Sequence, residues 1–71
     1  MFSVKGDRPL VRSAELEVEE LGDVIYEGTA AVGSARDAPV WTIKRATFAG
    51  NYCQFRYAIG KWTDRTLLIY S

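Results

Sequence analysis

The sequence predicts an all-β fold, a small single-domain antiparallel sheet, barrel or sandwich of about five strands. Three observations carry that expectation. Short runs rich in β-branched and aromatic residues are bounded by Gly, Asp, Asn and Pro. Gly50-Asn51 separates two such runs by the two residues that a tight hairpin needs, glycine first. Apolar and polar residues alternate with a period of two in the segments around residues 14–19 and 52–59.

Taken in order, the first candidate element is the least decided. Ala14, Leu16 and Val18 alternate with Glu15, Glu17 and Glu19, as in a half-solvated strand. Leu10, Ala14, Val18 and Leu21 also share one helical face, and Glu and Leu are good helix formers. Residues 10–21 therefore stay open between strand and helix, with the strict alternation favouring a strand. As a strand, its glutamate row is expected to charge a solvent face and discourage edge-to-edge aggregation. After the breaker pair Gly22-Asp23, Val24-Ile25-Tyr26-Glu27 reads as a short strand. Residues 28–39 are small, carry Gly28 and Gly33 and end in Pro39, the pattern of a surface loop or weak edge segment.

Val40 to Ala49 resumes a strand pattern, with Trp41 and Ile43 on one face. Beyond Gly50-Asn51, Tyr52 to Ile59 places Cys53, Phe55, Tyr57 and Ile59 on a face expected to point into the core, with Gln54 and Arg56 opposite. Gly60-Lys61 turns the chain again, and Thr66 to Tyr70 is expected to close a C-terminal three-stranded meander.

Length and composition bound the function. Seventy-one residues make one domain, residues 1–71, whose unaided core supplies roughly 3–5 kcal/mol. Small domains usually add a disulfide, a metal or a partner. One cysteine forms no internal disulfide, and Cys53 without any histidine builds no structural zinc site. Partner chains are the remaining staple. No apolar run approaches the ~20 residues of a bilayer span, and the segment from Met1 to Asp7 holds no signal-peptide core. With a free thiol, this points to synthesis in a cytoplasm and no membrane partner.

Chemistry is hard to place on this chain. The absent histidine removes the commonest acid–base group and metal ligand. Cys53 on an apolar face reads as an inert thiol. Glu15, Glu17 and Glu19 lack the spacing of a calcium loop, and no phosphate-binding glycine loop follows Gly28 or Gly33. The expectation is a non-enzyme with no catalytic residue, metal, cofactor or small-molecule substrate.

The zero net charge hides an asymmetry. Residues 1–40 carry eight acidic and four basic side chains, whereas residues 41–71 carry five basic ones against Asp64 alone. The halves either neutralise one another within the fold or present an acidic face, at Glu15, Glu17 and Glu19, to a basic neighbour. The second reading favours head-to-tail homo-oligomers. A rival reading is a single-stranded nucleic-acid-binding barrel. Seven of nine aromatics fall in the last 31 residues, interleaved with five basic groups. The neutral total charge weighs against it.

The same C-terminal region carries a resemblance. Trp41-Thr42-Ile43-Lys44-Arg45, a hairpin, Phe55-Arg56-Tyr57-Ala58, and Trp62-Thr63-Asp64-Arg65 running to Leu68 and Tyr70 form one ordered pattern. It resembles small virion-associated proteins of tailed bacteriophages, with their W-x-I-K-R, aromatic-Ala strand and terminal W-D-[DN]-R-x-x-L-x-Y. Val24 to Ala30 is similar to their Tyr-Ile-Tyr-x-Gly stretch, so the likeness covers residues 24–70. The chain departs at Ala58-Ile59-Gly60, where the family carries an acidic Ala-Asp-Gly loop, and at Thr63, where it carries Asp. The resemblance implies a non-catalytic structural or accessory subunit, assembled into a virion as a capsid decoration or a tail or neck component. Its implied partners are other virion proteins and copies of itself. Within the motif, Trp41 and Trp62 are large enough to anchor a small sheet, each burying on the order of 200 Å². Lys44 or Arg45 is expected to pair with Asp64.

Overall fold

The computed structural model describes residues 14–71. The reading of Met1 to Asp7, and that of residues 10–13, lie outside the described residues. The chain is all-β, built on one open four-stranded antiparallel sheet: β1 (Glu15–Leu21), β2 (Val24–Ala30), β3 (Trp41–Ala49) and β4 (Tyr52–Gly60). Spatial order follows chain order. Among the described residues β1 and β4 are edges, so the sheet does not close into a barrel.

Two tight turns fix the register. Gly22 and Gly50 take φ of +58° and +60°, while Asp23 and Asn51 stay at negative φ. Glycine adopts that left-handed backbone without the clash a Cβ would bring, and glycine-first turns match the twist of the strands they join. Each turn has two residues, so Leu21 pairs with Val24 and Ala49 with Tyr52. Every later pairing follows: Glu19 with Tyr26, Glu17 with Gly28, Arg45 with Arg56, Ile43 with Ala58. Side chains alternate across the sheet, so these pairs sort each strand onto two faces.

One face carries the core. Tyr26, Trp41, Ile43, Trp62 and Tyr70 are buried, with Val24, Ala30, Ala58 and Leu68 packed against them. Trp41 and Ile43 share this face, as expected. The segment that covers it comes from the C-terminal end of the described chain. A 3₁₀ turn, η1 (Trp62–Asp64), lifts the backbone off β4 and sets Trp62 on the sheet. The carbonyl of Asp64 then accepts from the N–H groups of Leu67 and Leu68, at 2.8 and 3.2 Å.

Residues 66–70 do not form the expected closing strand. A turn over residues 65–67 and a bend at Leu68 carry them across the core face as a strap, with Leu68 and Tyr70 inward and Leu67 and Ile69 outward. The reason lies in Trp62. Docking its ring on the sheet obliges the chain to leave the sheet plane, so the next residues pass over β4 instead of beside it. Only Ser71 returns to the edge, exchanging two 3.0 Å hydrogen bonds with Tyr57. The inward and outward alternation of residues 67–70 is present in the strap, without the strand pairing.

Candidate interaction face

The covered face is stitched by polar contacts at its rim. Glu17 Oε2 meets Arg36 Nε at 2.8 Å, and Glu19 Oε1 accepts from Arg65, whose guanidinium lies 4.8 Å from the Trp62 ring centre. Glu15 Oε2 accepts from the Gly33 N–H at 3.0 Å. The loop between β2 and β3 thereby reaches β1. The same loop accepts the Trp41 indole N–H at the carbonyl of Ala35, 2.9 Å away, and the Thr63 N–H at the carbonyl of Arg36, 3.2 Å away. The glutamate row therefore points to the covered face instead of open solvent, and loop and strap are fastened through it. The acidic half and the basic half meet inside one fold at Glu19–Arg65 and at Glu27–Lys44.

Gly28 makes the covering possible. A Cβ there would lie 2.7 and 2.8 Å from two Trp62 ring carbons and 3.2 Å from Trp41 Cε3. The two indoles fill that space with centres 6.0 Å apart and planes inclined at 45°, a tilted arrangement that aromatic quadrupoles favour. Tyr70 lies 6.1 Å from Tyr26 and donates its hydroxyl to the carbonyl of Arg65 at 2.7 Å. Burial pushes its phenol above the ordinary range, helped by Tyr26 and partly offset by Arg45 and Arg65. Arg45 lies with its guanidinium 4.6 Å from the Tyr70 ring centre, and its Nε is buried without a hydrogen-bond partner. Neither expected partner reaches Asp64: Arg45 stacks on Tyr70, and Lys44 pairs with Glu27 at 3.1 Å.

Among the described residues the other face of the sheet is open. Register and alternation place on it Leu16, Val18 and Glu20 from β1 and Ile25, Glu27 and Thr29 from β2. Its other half is Thr42, Lys44, Ala46 and Phe48 from β3 with Cys53, Phe55, Tyr57 and Ile59 from β4. Phe55 and Tyr57 were expected inside; they share one face with Cys53 and Ile59, but it is the outer one. Leu16, Val18, Phe55 and Tyr57 are each more than half exposed, and Ile59 is 74% exposed. The thiol of Cys53 is half-buried on this face.

The strand residues that charge it are Glu20, Glu27 and Lys44. The Lys44 ammonium sits against Glu27 and 5.1 Å from the Phe55 ring centre. The hydrogen bond and charge of Glu27 raise its pKa, with burial opposing. The basic groups Arg45 and Arg56 pair with one another across β3 and β4 and belong to the opposite face.

The ten motif residues thus divide. Trp41, Ile43, Arg45, Trp62, Arg65 and Tyr70 build the covered face, with Asp64 turning the strap; Lys44, Phe55 and Tyr57 are displayed on the open one. The missed members of the open face are Leu16 and Val18, whose orientation follows from the Gly22-Asp23 turn. Among the described residues no group of three or more His, Cys, Asp or Glu is placed to hold a metal ion. No protein-family model, curated protein or solved structure matches the chain.

Proposed function

We propose that this protein is a non-catalytic structural or accessory subunit of a tailed-phage particle, a capsid decoration or a tail or neck component. On this reading it works through protein–protein contacts made by the open sheet face. The observation that carries the proposal is that face itself. Leu16 and Val18 on β1 and Phe55, Tyr57 and Ile59 on β4 lie uncovered toward the two edges of one face, either side of the central pairs Thr29–Thr42 and Glu27–Lys44, on a sheet whose other side already holds the core. Exposed apolar surface in this quantity on one face supports reading it as an interaction site. The resemblance over residues 24–70 supplies the setting. The chain is made in the host cytoplasm and assembled into the virion.

The placement of charge favours a protein partner over a nucleic acid. A single-strand-binding surface needs stacking rings and positive charge together. Here Phe48, Phe55 and Tyr57 share their face with two carboxylates and one lysine, while Arg45 and Arg56 belong to the other side. Mass spectrometry of purified particles tests the proposal. The chain is expected among the virion proteins at stoichiometric abundance. Strong expression in infected cells with absence from particles would overturn it. Salt-dependent oligonucleotide binding that weakens on neutralising Arg45 or Arg56 would instead establish the nucleic-acid reading.

A further inference from the structure

We infer that the open face is closed by the same face of a second copy, as a two-fold sandwich of sheets whose axis runs along the strands between β2 and β3. The inference rests on the reading of this face as protein-binding, and names its occupant.

The register carries the argument. Across the sheet the open-face residues form rows: Leu16, Thr29, Thr42 and Ile59; then Val18, Glu27, Lys44 and Tyr57; then Glu20, Ile25, Ala46 and Phe55. A two-fold axis lying in the interface and parallel to the strands rotates each row onto the same row of the partner with the strand order reversed. It sets β2 over the partner's β3 and β1 over the partner's β4. Glu27 then faces Lys44 of the partner subunit, and Lys44 faces the partner's Glu27, a closed square of alternating charge. Val18 meets Tyr57 of the partner subunit, Leu16 meets the partner's Ile59, Ile25 lies over the nearly buried Ala46 of the partner subunit, and Glu20 falls beside the partner's Phe55 at the edge of the sheet.

The alternative axis, perpendicular to the strands along the central row, sets Glu27 on Glu27 and Lys44 on Lys44. Like charges then meet at the centre, so charge chooses between the two arrangements. Isologous contacts need such self-complementarity.

The extent of the face suits this role. Four strands with about seven residues each span roughly 19 by 24 Å. Two such faces pressed together remove on the order of 1,000 Å² from water, the scale at which specific interfaces begin. Aligned sheets pack with their strands about 30° apart, a rotation that disturbs least the contacts near the axis. Glu27 and Lys44 are those contacts.

Sedimentation equilibrium of the full chain and its variants tests the arrangement, with circular dichroism to confirm folding. The wild type is expected at twice the chain mass. Glu27→Lys alone or Lys44→Glu alone places like charges across the axis and should weaken association by about tenfold or more. The double variant Glu27→Lys/Lys44→Glu restores the square and should return to within a few-fold of wild type. Val18→Glu should weaken association by about 100-fold. A crosslink checks the axis. In a Cys53→Ser chain carrying Val18→Cys and Tyr57→Cys, the two thiols of one copy lie three strand spacings apart, about 14 Å. A short bismaleimide should therefore join copies and not close within one.

A monomer at about 100 µM would overturn the inference, assigning the face to a foreign protein or to residues 1–13. A double swap no tighter than its parents, or a Val18→Glu chain as associated as wild type, would overturn it too. These outcomes are separate from the particle assay. A monomer found in virions would remove the dimer and leave the proposed function, and a dimer absent from virions would do the reverse.

Discussion

The two faces of this sheet are made from the same four strands, yet they differ in nearly everything that stabilises a fold. The covered face holds Trp41 and Ile43 at 1% and 0% exposure beneath an indole, a leucine and a tyrosine supplied by the strap. The open face holds as many large apolar groups with nothing over them among the described residues. A four-stranded sheet needs only one packed side to be stable. The strap commits this chain to a single internal core and leaves the second side of the sheet uncovered among the described residues. On the proposed reading the covered face sets stability and the open face association, and substitutions should separate the two.

The largest effect is expected where strap and sheet meet. Trp62→Ala empties the site above Gly28 and should cost about 3–5 kcal/mol, a large share of the stability of so short a chain. Urea denaturation measures it, and a loss under 1 kcal/mol would mean that the strap is not part of the core. Next comes a pair of glycines. Gly28→Ala drives a methyl group into two stiff indoles and should cost about 1–3 kcal/mol. Gly60→Ala meets only the tip of the Leu68 side chain, at 2.9 Å, which can rotate away. It should cost less, under about 1 kcal/mol. Equal losses at the two positions would contradict the rigid docking of Trp62.

Much of this division was legible, because the turns were. Gly22-Asp23 and Gly50-Asn51 are two-residue turns, and a two-residue turn makes residues equidistant from it share a face. Tyr26 therefore carries Glu19 to its own side, and Gly28 carries Glu17. Likewise Ile43 carries Ala58, so Phe55 and Tyr57 must lie opposite Trp41. The expectation that Phe55 and Tyr57 point inward conflicts with the Gly50-Asn51 turn once Trp41 and Ile43 hold the core. Alternation within one strand says that two faces exist, and only pairing says which is which. The strap was not legible in this way. Its inward Leu68 and Tyr70 alternate as a strand would, and nothing local distinguishes pairing beside β4 from crossing above it. The unusual role of the glutamates was hidden for a related reason. Their partners Arg36 and Arg65 lie 19 and 46 residues away, beyond any local pattern.

A smaller effect belongs to Tyr70. Tyr70→Phe removes the hydroxyl donated to the carbonyl of Arg65 and should cost about 1 kcal/mol. It should also change the response to alkali. Burial raises the Tyr70 pKa above its unfolded value of about 10. The folded state therefore favours the neutral phenol. Its contribution is complete below the unfolded pKa and is lost as pH rises through the folded one. Denaturation at about pH 9 and about pH 11 should show a fall in stability that is shallower in Tyr70→Phe. The raised pKa of Lys44 acts in the same direction in both chains, so the difference between them isolates the phenol. Equal slopes would place Tyr70 in water.

The smallest effect on the isolated chain should come from the open face. Ile59 is 74% exposed, so Ile59→Thr removes little packing and should change the stability of a dilute chain by no more than about 0.5 kcal/mol. Ile43→Val, one methylene lost from a fully buried side chain, should cost more, about 0.5–1.5 kcal/mol. Raising the concentration reverses the ranking. If the open faces close on one another, association adds to the stability of the folded wild type by mass action, and its Tm climbs with concentration. Ile59→Thr weakens the contact with Leu16 of the partner subunit, so its Tm should climb less. Ile43→Val leaves the open face intact, so its Tm should run parallel to wild type from a lower start. Parallel curves for all three chains would show that the open face contributes nothing to association, and the functional distinction between the two faces would fall with it.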